Sequence, residues 1–572
     1  MQYFFSISEP HNRFVTIEMR VEGPFKDDFF VLQLPSWRPG RYELGNFAKN
    51  VKGFKVEDEN KTAIPFKKTS KDSWLVENSG KNVTIHYQYY AAQPDAGACW
   101  IDHDQLYINP VHCCMFIPGR ENEKCSVKLG VPENWVVATG LKFEDKHKYF
   151  ADNFDQLVDS PFIASASLQH ADYVLNGVTF HIWIQGVCTP DWLKIIKDFD
   201  RFTQVQLDMM KEFPATEYHF LVQVLPYAFY HGVEHLNSTV LALGPGYNLM
   251  KPALYNDFLG VASHELFHAW NVKSIRPVEM LPYDLTRENY AETGFVYEGV
   301  TTYYGDLFLG RSGFFNLDQL LEEYSVRLQK HMDNPGRLNY SVTQSSFDTW
   351  LDGYVPGIPG RKTSIYDEGC LLAWILDYMI RSATDSKHSL DQVMQILYFD
   401  FAKKGKGYTF ADFQEISERV AGRSFKEFFE NIVCKPSSLE NLLSEVVSLA
   451  GIVLKNSASS LFHERDLGIR TEIRASSTFI NTVYPGSPAA IGGLIKDDEI
   501  IAVDNMKVEN NLSDLVQNSR NKEIELTVFS NKKMKTIQLL KTEQRFFDKY
   551  AFQASSELTA AQLHFRNQWM KG

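Results

Sequence analysis

Apolar and polar positions alternate through roughly the first third of the 572-residue chain, and this alternation predicts β-strands. The strand-like segments are "RFVTIEMRVEG", "FFVLQLPSW", "NVTIHYQYYAA" and "CSVKLGVPENW". From about residue 190 the apolar spacing becomes helical, and helices are predicted to about residue 435 with one strand-like interruption, "YHFLVQVLPYAFYHG". Short strands return between about residues 464 and 542. The pattern therefore predicts a multidomain α+β protein.

The changes of pattern predict four parts. We expect an N-terminal β-sandwich-like domain at residues 1–172, an α+β domain at 173–310, a helical extension at 311–455 and a small domain with a C-terminal tail at 456–572. A Pro-Ser-Ser stretch in "CKPSSLEN" favours a joint before the last part. The chain shows no internal repeat.

Charge and composition exclude some classes of function. The net charge is −13, from 58 basic and 71 acidic residues, and no basic block stands out, which argues against nucleic-acid binding. No apolar run reaches the roughly 18 residues that a membrane-spanning helix needs, and "MQYFFSISEP" does not resemble a signal peptide. The seven cysteines are irregularly spaced, and the run His112-Cys113-Cys114 lacks metal-ligand spacing. We therefore expect reduced thiols and a cytoplasmic location.

The segment "HELFHAW" carries the strongest chemical signal. It places His264, Glu265 and His268 in the H-E-x-x-H pattern, in which two imidazoles one helical turn apart hold Zn²⁺ and the glutamate reaches the zinc-bound water. Asp257 is predicted to cap the start of this helix, and Pro277 lies beyond its end. Two partly buried histidines on an amphipathic helix are the plain structural alternative.

A catalytic zinc site usually has three protein ligands, so a third ligand is needed. Glu298 lies thirty residues after His268, at the start of the apolar stretch "GFVYEGVTTYYGDLF". Glu288 and Glu292 are competing candidates in the more polar "TRENYAE" segment. Spacing and the apolar setting favour Glu298 without excluding the other two.

The segment "HGVEH" spells a second, inverted zinc motif, with His231, Glu234 and His235. That motif requires a helix. Pro226 precedes the segment, Gly232 lies within it, and a strand-like stretch leads into it, so a strand is the favoured interpretation and metal binding is not expected.

Several of these motifs together resemble the glycyl aminopeptidase family, which is related to the large aminopeptidase N clan, and the resemblance covers nearly the whole chain. The N-terminal segments "LPSWRPGRYELGNFAKNV" and "QLVDSPFIAS" are similar to that family's N-terminal β-domain. The core segments are "YHGVEHLNS", "SHELFHAWNVKSIRP" and "YEGVTTYYGDL". The resemblance implies a thermolysin-like catalytic domain at 173–310 and a PDZ-like domain at 456–572.

The resemblance also implies a role for each residue of the zinc motif. His264 and His268 would be zinc ligands, Glu265 the general base, and Glu298, the glutamate of "YEG", the third ligand. Zn²⁺ is the implied cofactor.

Substrate-binding roles are implied in the same way. Glu234 matches the acid that binds the substrate's α-amino group, on a strand that includes Gly232 and is expected to line the cleft. Tyr366 matches the tyrosine that donates to the oxyanion. His231 and Glu368 depart from the related patterns, which leaves the shape of the S1 wall and the match at Tyr366 open.

The sequence thus predicts an aminopeptidase that acts on peptides with a free N-terminus, and the resemblance implies a preference for small residues such as Gly or Ala. Residues 466–470, "DLGIR", resemble the carboxylate-binding loop of a PDZ domain, which would accept a peptide C-terminus or an extended chain. Two alternatives stay open: a PDZ-regulated metallo-endopeptidase, and a PDZ scaffold with an inactive peptidase domain.

Overall fold

The structure is a computed structural model that describes residues 1–25, 27–78, 80, 82–519 and 521–572. These residues form two compact units. The first contains Met1–Leu320, Pro335–Gly451 and Glu557–Gly572, and the second contains Leu321–Asn334 and Ile452–Ser556. Among the residues described, no helix combines the length and apolar character that crossing a membrane requires.

The N-terminal part of the first unit is β-structure, as the alternation predicted. Its strands are Gln2–Glu9 (β1), Phe14–Val21 (β2), Phe29–Gln33 (β3), Val51–Asp58 (β4), Phe66–Lys68 (β5), Ser73–Glu77 (β6), Val83–Tyr90 (β7), Trp100–Ile101 (β8), Gln105–Ile108 (β9), Cys125–Gly130 (β10), Val136–Thr139 (β11), Lys142–Asp145 (β12), Lys148–Ala151 (β13) and Phe162–Ser165 (β14), with one short helix, Phe154–Val158 (α1).

These strands form three sheets around one apolar core. The sheet orders are β12-β13-β10-β1-β2-β7-β4, β11-β14-β9-β8 and β3-β6-β5. Buried and partly buried positions alternate along β2 and β7, so that side chains such as Ile17 and Tyr87 point into the shared core. The two strands pair in register from Phe14 with Tyr90 to Val21 with Val83. The β-sandwich-like expectation for this region is consistent with these sheets.

A five-stranded mixed sheet follows, in the order β15-β16-β17-β19-β18. Its strands are Gln169–Leu175 (β15), Val178–Gln185 (β16), Glu217–Val224 (β17), Phe229–Glu234 (β18) and Ser238–Gly244 (β19). The three central strands β16, β17 and β19 run parallel, while β15 and β18 are antiparallel edge strands. The crossover from β16 to β17 passes through the helix Trp192–Met210 (α2).

Further helices follow before residue 450, all in the first unit except Leu317–Asp333, most of which belongs to the second unit. They are Pro252–Phe267 (α3), Thr301–Arg311 (α4), Leu317–Asp333 (α5), Val342–Phe347 (α6), Thr349–Asp352 (α7), Asp367–Ala383 (α8), Leu390–Ile396 (α9), Phe410–Ala421 (α10), Lys426–Phe428 (α11) and Glu440–Ser448 (α12). The helical periodicity from about residue 190 to 435 predicted this composition correctly.

The second unit contains a small sheet of mostly short strands. Its elements are Ile452–Ser457 (β20), Phe462–Leu467 (α13), Ile469–Arg474 (β21), Ser477–Val483 (β22), Pro488–Ile491 (α14), Glu499–Val503 (β23), Met506–Lys507 (β24), Leu512–Asn518 (α15), Glu523–Ser530 (β25), Lys533–Leu540 (β26) and Lys549–Ala554 (β27). The sheet order is β21-β22-β23-β25-β26, with β24 paired to β23, and β20 pairs with β27. Ile480, Val503 and Leu526 lie in its core.

All three expected domain boundaries fall inside elements, and the one at 310 separates Arg311 from the rest of α4. The boundary at 172 cuts β15, whose residues pair with β16 from Gln169 to Leu175, so the strand belongs with the five-stranded sheet. The boundary at 455 cuts β20. The expected small domain also extends too far, because its last helix, Ala560–Lys571 (α16), belongs to the first unit: the indole of Trp569 donates a hydrogen bond to Tyr303 Oη at 2.9 Å.

Candidate active site

The helix α3 carries the H-E-x-x-H motif near its C-terminal end. It begins earlier than the sequence predicted, because Pro252 occupies its first turn and Lys251 is the N-cap residue; Asp257 lies inside the helix and is not the cap. His264 is in the last turn, and His268 follows the helix with helical backbone angles. The two rings therefore lie on one face, with their Nε2 atoms 3.0 Å apart.

Glu298 reaches the same point from the next helical segment. It lies in a π-helical turn, Phe295–Val300, that leads directly into α4. Helix α4 packs closely on α3 at Gly305, where a Cβ atom would lie 3.1 Å from Cα of His264. This packing places Glu298 Oε2 3.5 Å from His268 Nε2.

Only one of the three candidate third ligands joins the histidines. Ligand atoms of His264, His268 and Glu298 all lie within 4.8 Å of one another. Within the described part of the chain, Glu288 and Glu292 belong to no such group with these histidines. This geometry favours Glu298 as the third ligand, which the spacing of residues in the sequence could not establish.

The chemistry of this group fits Zn²⁺. The Nδ1–H of His268 donates to the carbonyl of Asn271 at 2.7 Å, which leaves Nε2 as the ligand atom. Ligand atoms about 2.0–2.1 Å from a tetrahedral zinc ion lie about 3.3–3.4 Å apart, close to the 3.0 and 3.5 Å separations between the ligand atoms here. Burial lowers the pKa of His268, but Glu298 and other carboxylates outweigh it and raise that pKa to about 10, so the site stabilises a positive charge.

Glu265 is buried beside the histidines and faces the edge strand β18. A Cβ atom on Gly232 of that strand would lie 2.2 Å from Glu265 Oε1, so only glycine allows this approach. Glu265 Oε2 has no hydrogen-bond partner in the described protein. Burial, together with the charges of Glu234 and Glu298, raises the pKa of Glu265 well above its ordinary value, whereas His268 lowers it. A carboxyl with a raised pKa is a stronger base than a free glutamate and is suited to take up a proton.

Glu234 ends β18, so the "HGVEH" segment is a strand, as expected, and the inverted zinc motif has no helix. Glu234 is 4% exposed, and one of its oxygens lies within 4.8 Å of ligand atoms of Glu265 and His268. The carboxylate also contacts Gly40, where a Cβ atom would lie 2.3 Å from Oε2 and φ is +79°. Oε1 of Glu234 makes no hydrogen bond with a described residue.

Tyr366 is a half-buried residue at the N-terminal end of α8, near the same acids. Burial raises its pKa well above the ordinary value, and the charges of Glu298 and Glu234 add to that shift. Its hydroxyl lies 3.2 Å from that of Tyr354. Glu368, the departure noted in the sequence, turns away to accept a short hydrogen bond from Thr363 and has its pKa raised to about 8, chiefly by burial.

The N-terminal β-region contributes residues that the sequence analysis did not single out. Arg38 and Arg41 close a tight turn whose tip is Gly40, the residue in contact with Glu234. Next to that turn, burial raises the pKa of Tyr42 well above its ordinary value, and the charge of Glu298 raises it further. The sequence held one indication that this region contributes to the site, namely the clustering of these polar and aromatic residues in "WRPGRYEL".

A buried ion pair supports the strand end that carries Glu234. Lys273 Nζ lies 2.7 Å from Asp159 Oδ1, and His235 Nδ1 lies 3.0 Å from the same oxygen. The other oxygen of Asp159 accepts the backbone N–H of Leu236 at 2.9 Å. Burial raises the pKa of Asp159, but Lys273 and His235 outweigh that effect and hold it well below its ordinary value. The network fixes the turn that follows Glu234.

In the second unit, the "DLGIR" segment forms the junction between α13 and β21. Gly468 takes φ +71°, and a Cβ atom there would lie 2.3 Å from Cβ of Ser487, so glycine is required. Helix α13 packs against both α15 and β21. At these contacts, the N–H of Phe462 donates to Ser513 Oγ at 2.8 Å.

The fold of the first unit and its helix-borne H-E-x-x-H motif define the class of protein as a zinc metallopeptidase. Family models match three regions: residues 2–166 match the peptidase M61 N-terminal domain, residues 257–372 match the M61 glycyl aminopeptidase, and residues 479–528 match a PDZ domain. Two of these models describe the M61 glycyl aminopeptidase family, so the chain resembles that family in both its N-terminal region and its zinc-motif region. The resemblance inferred from the motifs, the fold class and the PDZ domain are thereby confirmed.

Two solved structures illustrate what the chain is similar to. An aminopeptidase N family protein from Idiomarina loihiensis is 26% identical, with a TM-score of 0.91 over 100% of this chain and 99% of its own. An M1 zinc metallopeptidase from Deinococcus radiodurans is 13% identical, with a TM-score of 0.46 over 76% of this chain and 94% of its own. No curated protein shows a significant match.

Proposed function

We propose that this metallopeptidase is an aminopeptidase that releases the N-terminal residue of peptides, with a preference for small residues such as Gly or Ala. His264, His268 and Glu298 would hold the zinc ion. When bound there, Zn²⁺ lowers the pKa of water toward neutrality and polarises a carbonyl. The observation that carries the proposal is the buried carboxylate of Glu234, which ends β18 within 4.8 Å of both Glu265 and His268.

Glu265 is the proposed general base. Its raised pKa allows it to take a proton from the attacking water and to return it to the leaving amine. Oε2 has no partner in the described protein and is therefore available for that transfer. Tyr366 is the proposed hydrogen-bond donor to the oxyanion, because its raised pKa keeps the phenol protonated.

Glu234 is proposed to set the position of cleavage. A substrate ammonium would form a charge-assisted hydrogen bond with its carboxylate, and the first peptide bond would then lie at the metal. Gly40 closes against the far side of this carboxylate. An internal stretch of chain would bring no ammonium to this acid, which favours exopeptidase over endopeptidase activity. The preference for small residues is supported by the glycyl aminopeptidase description of the matching family.

Four reporter substrates test this function: glycyl, alanyl and phenylalanyl amides with free amines, and the N-acetylated alanyl amide. The glycyl and alanyl amides should be cleaved fastest, and a chelator should abolish cleavage that added Zn²⁺ restores. Equal cleavage of the acetylated and free alanyl amides would favour the endopeptidase alternative. No cleavage of any substrate by the zinc-loaded protein would favour the inactive scaffold.

A further inference from the structure

Three neighbouring strands of the five-stranded sheet each carry a histidine on the same face. They are His170 on β15, His181 on β16 and His219 on β17. In the register of the sheet, His181 lies opposite Asp172 on one side and opposite His219 on the other. Because side chains alternate between faces, His170 and Asp172 share the face of His181. None of these residues belongs to the proposed active site.

The polar atoms of this group converge as metal ligands do. His170 Nε2 and His181 Nδ1 are 3.1 Å apart. Ligand atoms of His170, Asp172 and His181 all lie within 4.8 Å of one another. Two imidazole nitrogens bound to one tetrahedral ion at about 2.0–2.1 Å would be about 3.3–3.4 Å apart. The separation in the structure is therefore near the value that a shared ion requires.

Ring contacts hold both imidazoles in place. His170 stacks on Trp183 with ring centroids 3.8 Å apart, and His181 stacks on His219 at 4.6 Å. His219 is buried, accepts the indole N–H of Trp183 at Nδ1, and leaves its Nε2 without a hydrogen bond, 3.7 Å from Glu217. Stacking on Trp183 and on the buried His219 thus holds the two potential ligand rings, so that they need little reorganisation to bind an ion.

A hydrogen bond between the two imidazoles would also explain a separation of 3.1 Å. It would leave Asp172 unused, although a carboxylate oxygen of this residue lies within 4.8 Å of ligand atoms of both histidines. A neutral imidazole has one unprotonated ring nitrogen, whose lone pair can bind a metal ion. Neutral imidazoles beside a carboxylate match the ligand preferences of Zn²⁺, Ni²⁺ and Cu²⁺.

We propose that His170, Asp172 and His181 form a second metal site, which binds one divalent transition-metal ion on the exposed face of β15 and β16. Three ligands leave at least one position for water or an external group. His170 and Asp172 are exposed, so the ion should exchange freely with the solvent. An ion there would also join the edge strand β15 to its neighbour.

Cu²⁺ titration of the zinc-loaded protein tests this proposal, because coordination by imidazole nitrogens gives resolved hyperfine structure in the electron paramagnetic resonance spectrum. The wild type should bind one Cu²⁺ per chain without releasing its zinc, with a spectrum that shows two coordinated nitrogens. His170→Asn and His181→Asn should each weaken Cu²⁺ binding by at least about tenfold and remove one nitrogen from the spectrum.

His103→Asn, at an exposed histidine outside the group, is the matched control and should bind Cu²⁺ like the wild type. The proposal is overturned if the wild type takes up no Cu²⁺ beyond its zinc, or if His170→Asn binds Cu²⁺ with unchanged affinity and spectrum. His170 is exposed on an edge strand, so this variant decides the question even if His181→Asn does not fold.

Discussion

Glu234→Gln should remove the anchor for the substrate's N-terminus while leaving the metal site intact. The substitution keeps the length of the side chain, and therefore its packing against Gly40, but removes one negative charge. Glu234 is only 4% exposed, and its Oε1 has no partner in the described protein. A bound ammonium would thus be the first partner for that oxygen, in a site where water competes weakly.

The size of the expected loss in kcat/KM follows from the burial of this carboxylate. A hydrogen bond to a charged group contributes about 1.5–3 kcal/mol, and about 1.36 kcal/mol corresponds to a factor of ten. We therefore expect kcat/KM on a free-amine alanyl amide to fall by roughly tenfold to 150-fold. The N-acetylated amide has no ammonium that could bind Glu234, so the substitution should change the rate of its slow cleavage by less than about threefold.

The assay compares both amides with the wild type, Glu234→Gln and Glu77→Gln, at equal zinc content. Glu77 is an exposed glutamate at the end of β6, and its substitution should change neither rate. Two results would refute the reasoning: a proportional loss on both amides, which would show that Glu234 serves general folding or chemistry, and loss of zinc from Glu234→Gln, which would make this residue a ligand.

Three further predictions concern the base, the oxyanion donor and the ion pair behind the site. Glu265→Gln should retain zinc and lose nearly all turnover, because an amide cannot accept the proton of water; full activity by steady-state kinetics would exclude Glu265 as the base. Tyr366→Phe should retain zinc and lower kcat by about a hundredfold, and an unchanged kcat would make this residue a packing tyrosine. Asp159→Asn should lower the free energy of unfolding by about 3–5 kcal/mol in urea titrations at pH 7, because its buried lysine partner loses its counterion. The pKa of Asp159 is lowered in the folded protein, so this difference should persist at neutral pH and shrink as the pH falls below about 4; an equal difference at all pH values would contradict the ion-pair account.

The local pattern of apolar and polar residues predicted the helices and strands well but placed some of their ends wrongly. The period of apolar residues identified the strands of the N-terminal region and the helices after residue 190, because each element buries one face. The start of α3 was misplaced because Asp257 is a good capping residue by type, whereas Pro252 five residues earlier already begins the helix. The boundary at 172 was misplaced because β15 continues the alternation of the preceding strands, and only pairing with β16 shows where it belongs.

The site was predictable where its residues are close in sequence and less so where they meet through packing. His264 and His268 lie one turn apart, so the motif alone defined their common face. The choice of Glu298 over its competitors depends on the contact between α3 and α4 at Gly305, which spacing does not encode. The approach of Gly40 to Glu234 joins segments almost two hundred residues apart and could not be inferred from either segment alone.

Zinc retained after chromatography without added metal tests the central claim most directly. The wild type should retain about one Zn²⁺ per chain, since two imidazoles and a buried carboxylate converge at one point. Glu298→Gln should lose most of that zinc together with activity, while the matched variants Glu288→Gln and Glu292→Gln should keep both. Full zinc content in Glu298→Gln, or zinc loss in either matched variant, would contradict the proposed metal site.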